Sequence, residues 1–266
     1  MAETIAYDVD GRVATVTLNR PERLNAITPT LQRELLEALH EAEADDKVHV
    51  AVVAGAGRSF CVGMDLRGEN APRGGATGDR NFLENLARGW LAIWDLKLPV
   101  ICKVHGHCLA AGTQLASVCD VTFIAENCKV GTPQLPLGAG FVGVYWAWFV
   151  GPKKAKEMFF PVGAMISGRE ATDMGLFNRA VPAEELDAAV AAYAAEVAKV
   201  PKEILTLQKR AINATQDVQG FREALMRGVE IDAIAHLAPS VREMNRAIKE
   251  RGLSATIEDF RAGRLP

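Results

Sequence analysis

Two short apolar runs, Val48 to Ala54 and Pro99 to Val104, each lead into a turn of small residues and then a helical pattern. Consecutive apolar positions read as a strand buried on both faces, which is the condition of a parallel sheet covered by helices. Parallel neighbours need a crossover, and a helix is the usual one. This confines the chain to an α/β class. The same order recurs around residues 50–66 and 100–117, so a strand–turn–helix unit is used more than once. A third strand is predicted over Asp120 to Ala125, and helices over Phe82 to Leu96 and Leu109 to Val118.

The chain opens with a hairpin pattern. Ile5, Tyr7 and Val9 alternate, Asp10-Gly11 supplies the turn, and Ala14, Val16 and Leu18 alternate on the return. Thr28-Pro29 is a helix start, with Thr as N-cap and Pro at the first helical position. Leu31, Leu35, Ala38, Leu39 and Ala42 are its buried stripe. The glycine-rich stretch Arg67 to Asp79 reads as a surface loop beside the first half of a site. Later segments are helical in pattern only: 139–149, 152–160, 169–174, 183–199, 202–214 and 219–236.

With 266 residues the chain can form one α/β domain with a helical extension, or two small domains. Its formal net charge of -3 gives no electrostatic case for nucleic acid or a membrane surface. The apolar run Leu137 to Val150 is too short to span a bilayer and reads as core or pocket wall. The five cysteines, Cys61, Cys102, Cys108, Cys119 and Cys128, form no CxxC pair with metal spacing, and no signal peptide precedes them. A reduced cytoplasmic protein is expected.

Two turns carry the chemistry. The first reads Ser59-Phe60-Cys61-Val62-Gly63-Met64-Asp65-Leu66, the second Val104-His105-Gly106-His107-Cys108-Leu109-Ala110-Ala111-Gly112. Each places small residues where a strand leaves the sheet and a reversal or helix begins. Backbone N–H groups lack partners at such points, and a helix N-terminus adds partial positive charge. Two such groups converging on one point form an oxyanion hole, suited to a carbonyl that gains negative charge.

The order of segments resembles the crotonase superfamily, the enoyl-CoA hydratase/isomerase family, over nearly the whole chain. The matching stretches are Leu18-Asn19-Arg20-Pro21 with Leu24-Asn25-Ala26, Phe60 to Leu66, and Leu98-Pro99-Val100 with Gly106 to Gly112. Cys119-Asp120, Gly131-Thr132-Pro133-Gln134, Ser167 to Ala171 and Gly175-Leu176 follow. The resemblance implies an α/β crotonase (ClpP-like) fold of repeated ββα units, with a core over 1–200 and a helical trimerisation region over 201–266. It implies that the N–H groups of Met64 and Ala111 polarise a thioester carbonyl. Leu24, Asn25, Ala26, Val62, Asp65 and Leu66 would then hold coenzyme A, largely through backbone contacts. Coenzyme A enters as part of an acyl-CoA substrate, with no permanently bound cofactor and no metal. Family members form trimers, often paired into hexamers.

The chain departs from that family at the site. Hydratases place glutamates where this chain has Gln114 and Gln134. A carboxamide has no usable pKa near neutrality and cannot pass a proton as a carboxylate does. Efficient water addition by the usual route is therefore not expected. The stretch 138–144, where other branches carry an acid, has none. Tyr145, His105, His107, Cys61, Cys108, Asp65, Asp120 and Glu84 are the remaining reactive candidates, each with a structural role as the expectation. Trp146, Trp148 and Phe149 are expected to pack as core, and Arg261 and Arg264 to be solvated. Three functions stay open: a thioester enolate enzyme, favouring decarboxylation or carbon–carbon cleavage; a non-catalytic acyl-CoA binder; and a residual hydratase.

Overall fold

The computed structural model describes residues 3–66, 75–132, 137–138, 141–161 and 163–265. Its strands are β1 (Ile5–Asp10), β2 (Val13–Leu18), β3 (Val50–Gly55), β4 (Val100–Val104), β5 (His107–Leu109), β6 (Val121–Ala125), β7 (Lys129–Gly131), β8 (Met165–Ser167) and β9 (Arg179–Val181). Its helices are α1 (Pro29–Ala44), α2 (Ala76–Trp94), α3 (Ala111–Val118), α4 (Val142–Phe159), α5 (Gly168–Asp173), α6 (Leu186–Val197), α7 (Lys202–Val218), α8 (Phe221–Ala235), α9 (Pro239–Arg251) and α10 (Leu253–Arg261).

A six-stranded sheet has the order β1-β2-β3-β4-β6-β9, antiparallel only at the β1–β2 hairpin. A second, three-stranded sheet runs β5-β7-β8. Each unit sends one strand to the large sheet and the next short segment to the small one. β4, β5 and α3 form one such unit, and β6, β7 and α4 another. In the β3–α2 unit, Cys61 takes the middle place by a parallel bridge to Cys108 of β5. The expected repeated ββα unit is therefore present.

Local chemistry accounts for most element ends. Thr28 Oγ1 accepts from the Leu31 N–H at 3.1 Å and Pro29 stands at the first position, so α1 starts as expected. Its buried stripe matches the sequence pattern with Glu34 added, because that carboxylate accepts from Thr4 N and Thr4 Oγ1. The hairpin turn is Gly11-Arg12, one residue later than expected, with Asp10 pairing to Val13 in the ladder. Ala76 to Asp79, read from sequence as loop, form the first turn of α2. Residues 67–74 lie outside the described residues. Gly151, at φ 79, breaks α4 before Pro152, which is why two helical patterns stand there in the sequence.

The helical extension docks by satisfying carbonyls at the ends of core helices. Lys202 Nζ donates to Glu43 O and Asp45 O, at the end of α1, at 2.8 and 2.7 Å. Asn213 Nδ2 donates to Trp94 O at 2.9 Å, at the end of α2. Lys209 is buried and donates to Leu98 O at 3.2 Å and Asp120 Oδ2 at 2.8 Å. Last-turn carbonyls have no intrahelical donors, and cations there also meet the negative end of the helix dipole.

Candidate active site

The site is assembled by loops that follow β2, β3 and β4. In the first loop Leu24 and Asn25 adopt left-handed conformations, at φ 51 and 55. Asn25 tolerates this because its buried side chain is saturated. Its Oδ1 accepts from Arg20 N at 2.9 Å, and its Nδ2 donates to Ala56 O and Ser59 O at 2.9 and 2.8 Å. This loop pairs with the second one. Val62 N donates to Leu24 O, Ile27 N to Gly63 O, and Asp65 N to Ile27 O. Leu24, Asn25, Ala26, Val62, Met64 and Asp65 are thus brought together, with Leu66 exposed at the edge.

The pairing orients Met64. In the parallel bridge between Ile27 and Met64 the neighbours of Met64 make the hydrogen bonds, so its own N–H points away from Ile27. The second loop then packs on the third. Cys61 N donates to His107 O and Leu109 N to Cys61 O. A Cβ on Gly63 would stand 2.9 Å from Ala110 Cβ and 3.4 Å from Ala111 N, and one on Gly112 only 2.6 Å from Cys61 O. Glycine at both positions is what lets the Met64 segment lie against the start of α3.

Ala111 is the first residue of α3, so its N–H has no intrahelical acceptor. Ala110 before it holds φ 49 and ψ -119, a conformation that alanine rarely adopts. A relay supports that turn: Trp146 Nε1 donates to Thr113 Oγ1 at 3.2 Å, and Thr113 Oγ1 donates to Ala110 O at 2.7 Å.

Gln114 lies one turn further along α3 and is buried. Its Oε1 accepts from Trp90 Nε1 of α2 at 3.1 Å, while its Nε2 is buried and has no hydrogen-bond partner among the described residues. Gln134 lies outside the described residues.

The other reactive candidates are either paired or buried. Asp65 pairs with Arg20 at 3.0 Å, and Asp120 with Lys209 at 2.8 Å. Glu84 sits between Arg88 and Arg80, and hydrogen bonding to Arg88 leads in holding its carboxyl below the usual range. His107 Nδ1 lies 3.0 Å from Ser59 Oγ; burial, then the charges of Lys129 and Arg58, lower its pKa. His105 Nε2 meets Gly57 O at 2.8 Å. Burial pushes the Cys61 thiol up to about 12 and raises Cys108 well above its ordinary value. Tyr145 is fully buried, its phenol raised by burial and without a partner among the described residues. Trp146 is core, and Trp148 and Phe149 pack around Phe221. Arg264 pairs with Asp259 at 2.6 Å.

One cluster was missed in the sequence. The stretch 138–144 carries no acid of its own, yet α8 brings Asp232 and His236 against Gly138. A Cβ there would meet Asp232 Oδ1 at 2.5 Å and His236 Nε2 at 3.1 Å. Asp79 Oδ2 of α2 stands 4.0 Å from His236 Nδ1. The helical spacing of 232 and 236 was legible, but the approach of α8 to that stretch is long-range and was not.

The family model for enoyl-CoA hydratase/isomerase matches residues 8–246. A Mycobacterium tuberculosis protein, EchA13, named as a candidate enoyl-CoA hydratase, is 33% identical over 88% of this chain and 81% of its own length. The crystal structure of an enoyl-CoA hydratase/isomerase from Xanthobacter autotrophicus Py2 is similar with a TM-score of 0.92 and 33% identity, over 100% of both chains. That of an enoyl-CoA hydratase from Mycobacterium smegmatis gives 0.87 and 29%, over 96% of this chain and 91% of the other. The repeated ββα units, the two sheets and these matches agree: the chain belongs to the enoyl-CoA hydratase/isomerase family and has the crotonase fold.

Proposed function

We propose that this chain is an enzyme acting on acyl-CoA thioesters, with the N–H groups of Met64 and Ala111 forming an oxyanion hole for a thioester enolate. The observation that carries the reading is the contact of Gly63 with the first turn of α3. That contact, with the Met64 amide turned away from Ile27 and the Ala111 amide at a helix start, supports a shared role for the two N–H groups. The partial positive charge at the start of α3 favours an oxygen that becomes anionic. Loss of one such donor typically costs about a hundred- to a thousand-fold in rate. In this reading Leu24 to Ala26 and Val62 to Leu66, two loop segments paired with each other, hold the coenzyme A portion.

Standard hydration is disfavoured, because Gln114 and Gln134 cannot exchange protons. Loss of carbon dioxide from a malonyl thioester leaves the bonding pair on C2 as the enolate without a base, so decarboxylation fits the site better. Carbon–carbon cleavage of a 3-oxoacyl thioester gives the same enolate once water has added to C3 and lost its proton, the acyl group leaving as the acid. A second reading, an acyl-CoA binder without turnover, draws support from the committed carboxylates Asp65, Asp120 and Glu84.

The apolar residues Leu207, Ile212 and Val218 of α7 and Ile231 and Ile234 of α8 are exposed on the single chain. They support assembly into a homotrimer, or a hexamer of two trimers, through the 201–266 region. The test of function is a panel of crotonyl-, malonyl- and 3-oxoacyl-CoA with product analysis. Turnover of malonyl- or 3-oxoacyl-CoA supports the enzyme reading. Micromolar binding without turnover selects the binder. Rapid hydration of crotonyl-CoA overturns the reading of the glutamines, and failure to bind any ester overturns the site.

A further inference from the structure

We propose that Gln114, locked by Trp90, is a third hydrogen-bond donor of the site and selects acyl groups that carry an oxygen acceptor on C3. The inference rests on the oxyanion-hole reading and names the substrate class of that site.

An indole N–H can only donate, so the atom of Gln114 facing Trp90 must be its oxygen. The orientation of the amide is therefore fixed, and its NH2 faces the other way. That NH2 is buried and unpartnered among the described residues. Leaving a buried donor unpaired costs about 1–3 kcal/mol, so such a group calls for an acceptor from elsewhere.

Position says where that acceptor would lie. Gln114 and Ala111 are three residues apart on α3 and share a face. Helical side chains lean toward the N-terminus and cover the turn before their own Cα. That lean directs the Gln114 side chain toward the first turn of α3, where the Ala111 N–H emerges. One rise of three residues is about 4.5 Å, the scale of the separation between the two oxygens of a 1,3-dicarbonyl. With the thioester oxygen at C1 on the two main-chain amides, an oxygen on C3 meets the Gln114 NH2. A 3-oxoacyl ketone and a malonyl carboxylate share that chemistry.

A residue supplying donors where a carboxylate would supply acceptors also inverts specificity. A glutamate at 114 would repel a C3 oxygen, whereas the amide rewards it. Trp90 acts as a positioning residue, since without its N–H the amide can rotate and present its oxygen instead.

The experiment compares dissociation constants of acetoacetyl-CoA and butyryl-CoA, which differ in the C3 oxygen, by calorimetry. Wild type is expected to bind acetoacetyl-CoA about tenfold or more tightly. Gln114→Met brings the two constants together, Gln114→Glu reverses their order, and Trp90→Phe narrows the ratio. Circular dichroism and the urea midpoint establish that each variant is folded. A purely structural pair would leave the ratio unmoved in all three variants. Equal binding of the two esters by wild type, or an unchanged ratio in Gln114→Met, overturns the inference while the thioester reading stands. Failure of both esters to bind overturns that reading and the inference with it. Malonyl-CoA binding more tightly than acetoacetyl-CoA assigns the carboxylate as the preferred acceptor.

Discussion

Ala110 carries a positive φ without being glycine, at the turn that starts α3. Such a residue costs on the order of 1–3 kcal/mol, and the Trp146–Thr113 relay onto its carbonyl helps to hold it. Ala110→Gly should therefore raise the unfolding free energy by about 1 kcal/mol, seen as a higher urea midpoint, although glycine normally lowers stability. An unchanged or lower midpoint would show the turn to be unstrained. The cysteines give a second expectation at this scale. All five are free and buried, and burial pushes Cys61 and Cys128 up to about 12. Raised thiols stay protonated and unreactive at pH 8. Ellman titration at that pH should find none reactive in the native protein and all five in denaturant. Rapid native modification of Cys61 would restore it as a nucleophile candidate.

At the scale of the elements, α5 and α7 each depend on a few polar contacts. Ser167 and Glu170 form a capping box: Ser167 N and Oγ donate to Glu170 Oε2, and Ser167 Oγ accepts from Glu170 N. The backbone and then the hydroxyl of Ser167 hold the Glu170 carboxyl below its usual range. A lowered carboxyl contributes stability above its unfolded pKa and loses it as pH falls through its folded pKa. Ser167→Ala should thus lower the denaturation midpoint at pH 7, and the gap from wild type should shrink as pH drops below the ordinary carboxylate range. A gap that grows on acidification would contradict this. Lys209 is the stronger tie. Burial raises the Asp120 carboxyl and the Lys209 ammonium opposes that rise. Lys209→Met leaves Asp120 and two carbonyls short of a donor, and should cost about 3–5 kcal/mol in urea unfolding. Adding Asp120→Asn should recover part of it, and full additivity would show the pair to be uncoupled.

The whole molecule leaves apolar side chains of α7 and α8 uncovered on the single chain, as on an unassembled subunit. Light scattering after size exclusion should give a mass about three or six times that of one chain. Ile234→Glu should shift it to the monomer, because burying an unpaired carboxylate in an apolar contact is costly. A monomeric wild type would remove the assembly proposal. Among the described residues, no helix is long and apolar enough to cross a membrane.

Local pattern was enough for the hairpin, the capped start of α1, the buried strands β3 and β4 and the break at Gly151-Pro152, because each is written in neighbouring residues. That the side chain at position 114 cannot titrate was equally plain, since a carboxamide does not do so in any fold. The three-residue strands β5, β7, β8 and β9 were invisible, being too short for a period and formed only by pairing across the chain. The helices α9 and α10 were likewise unmarked in the sequence reading. Residue identity settled that Gln114 holds one acceptor and two donors; only the packing of α2 on α3 decided which end faces Trp90. Composition and order determine what each group can do, while direction and partnership come from contacts between residues distant in the chain, whose energy exists only once the loops have closed.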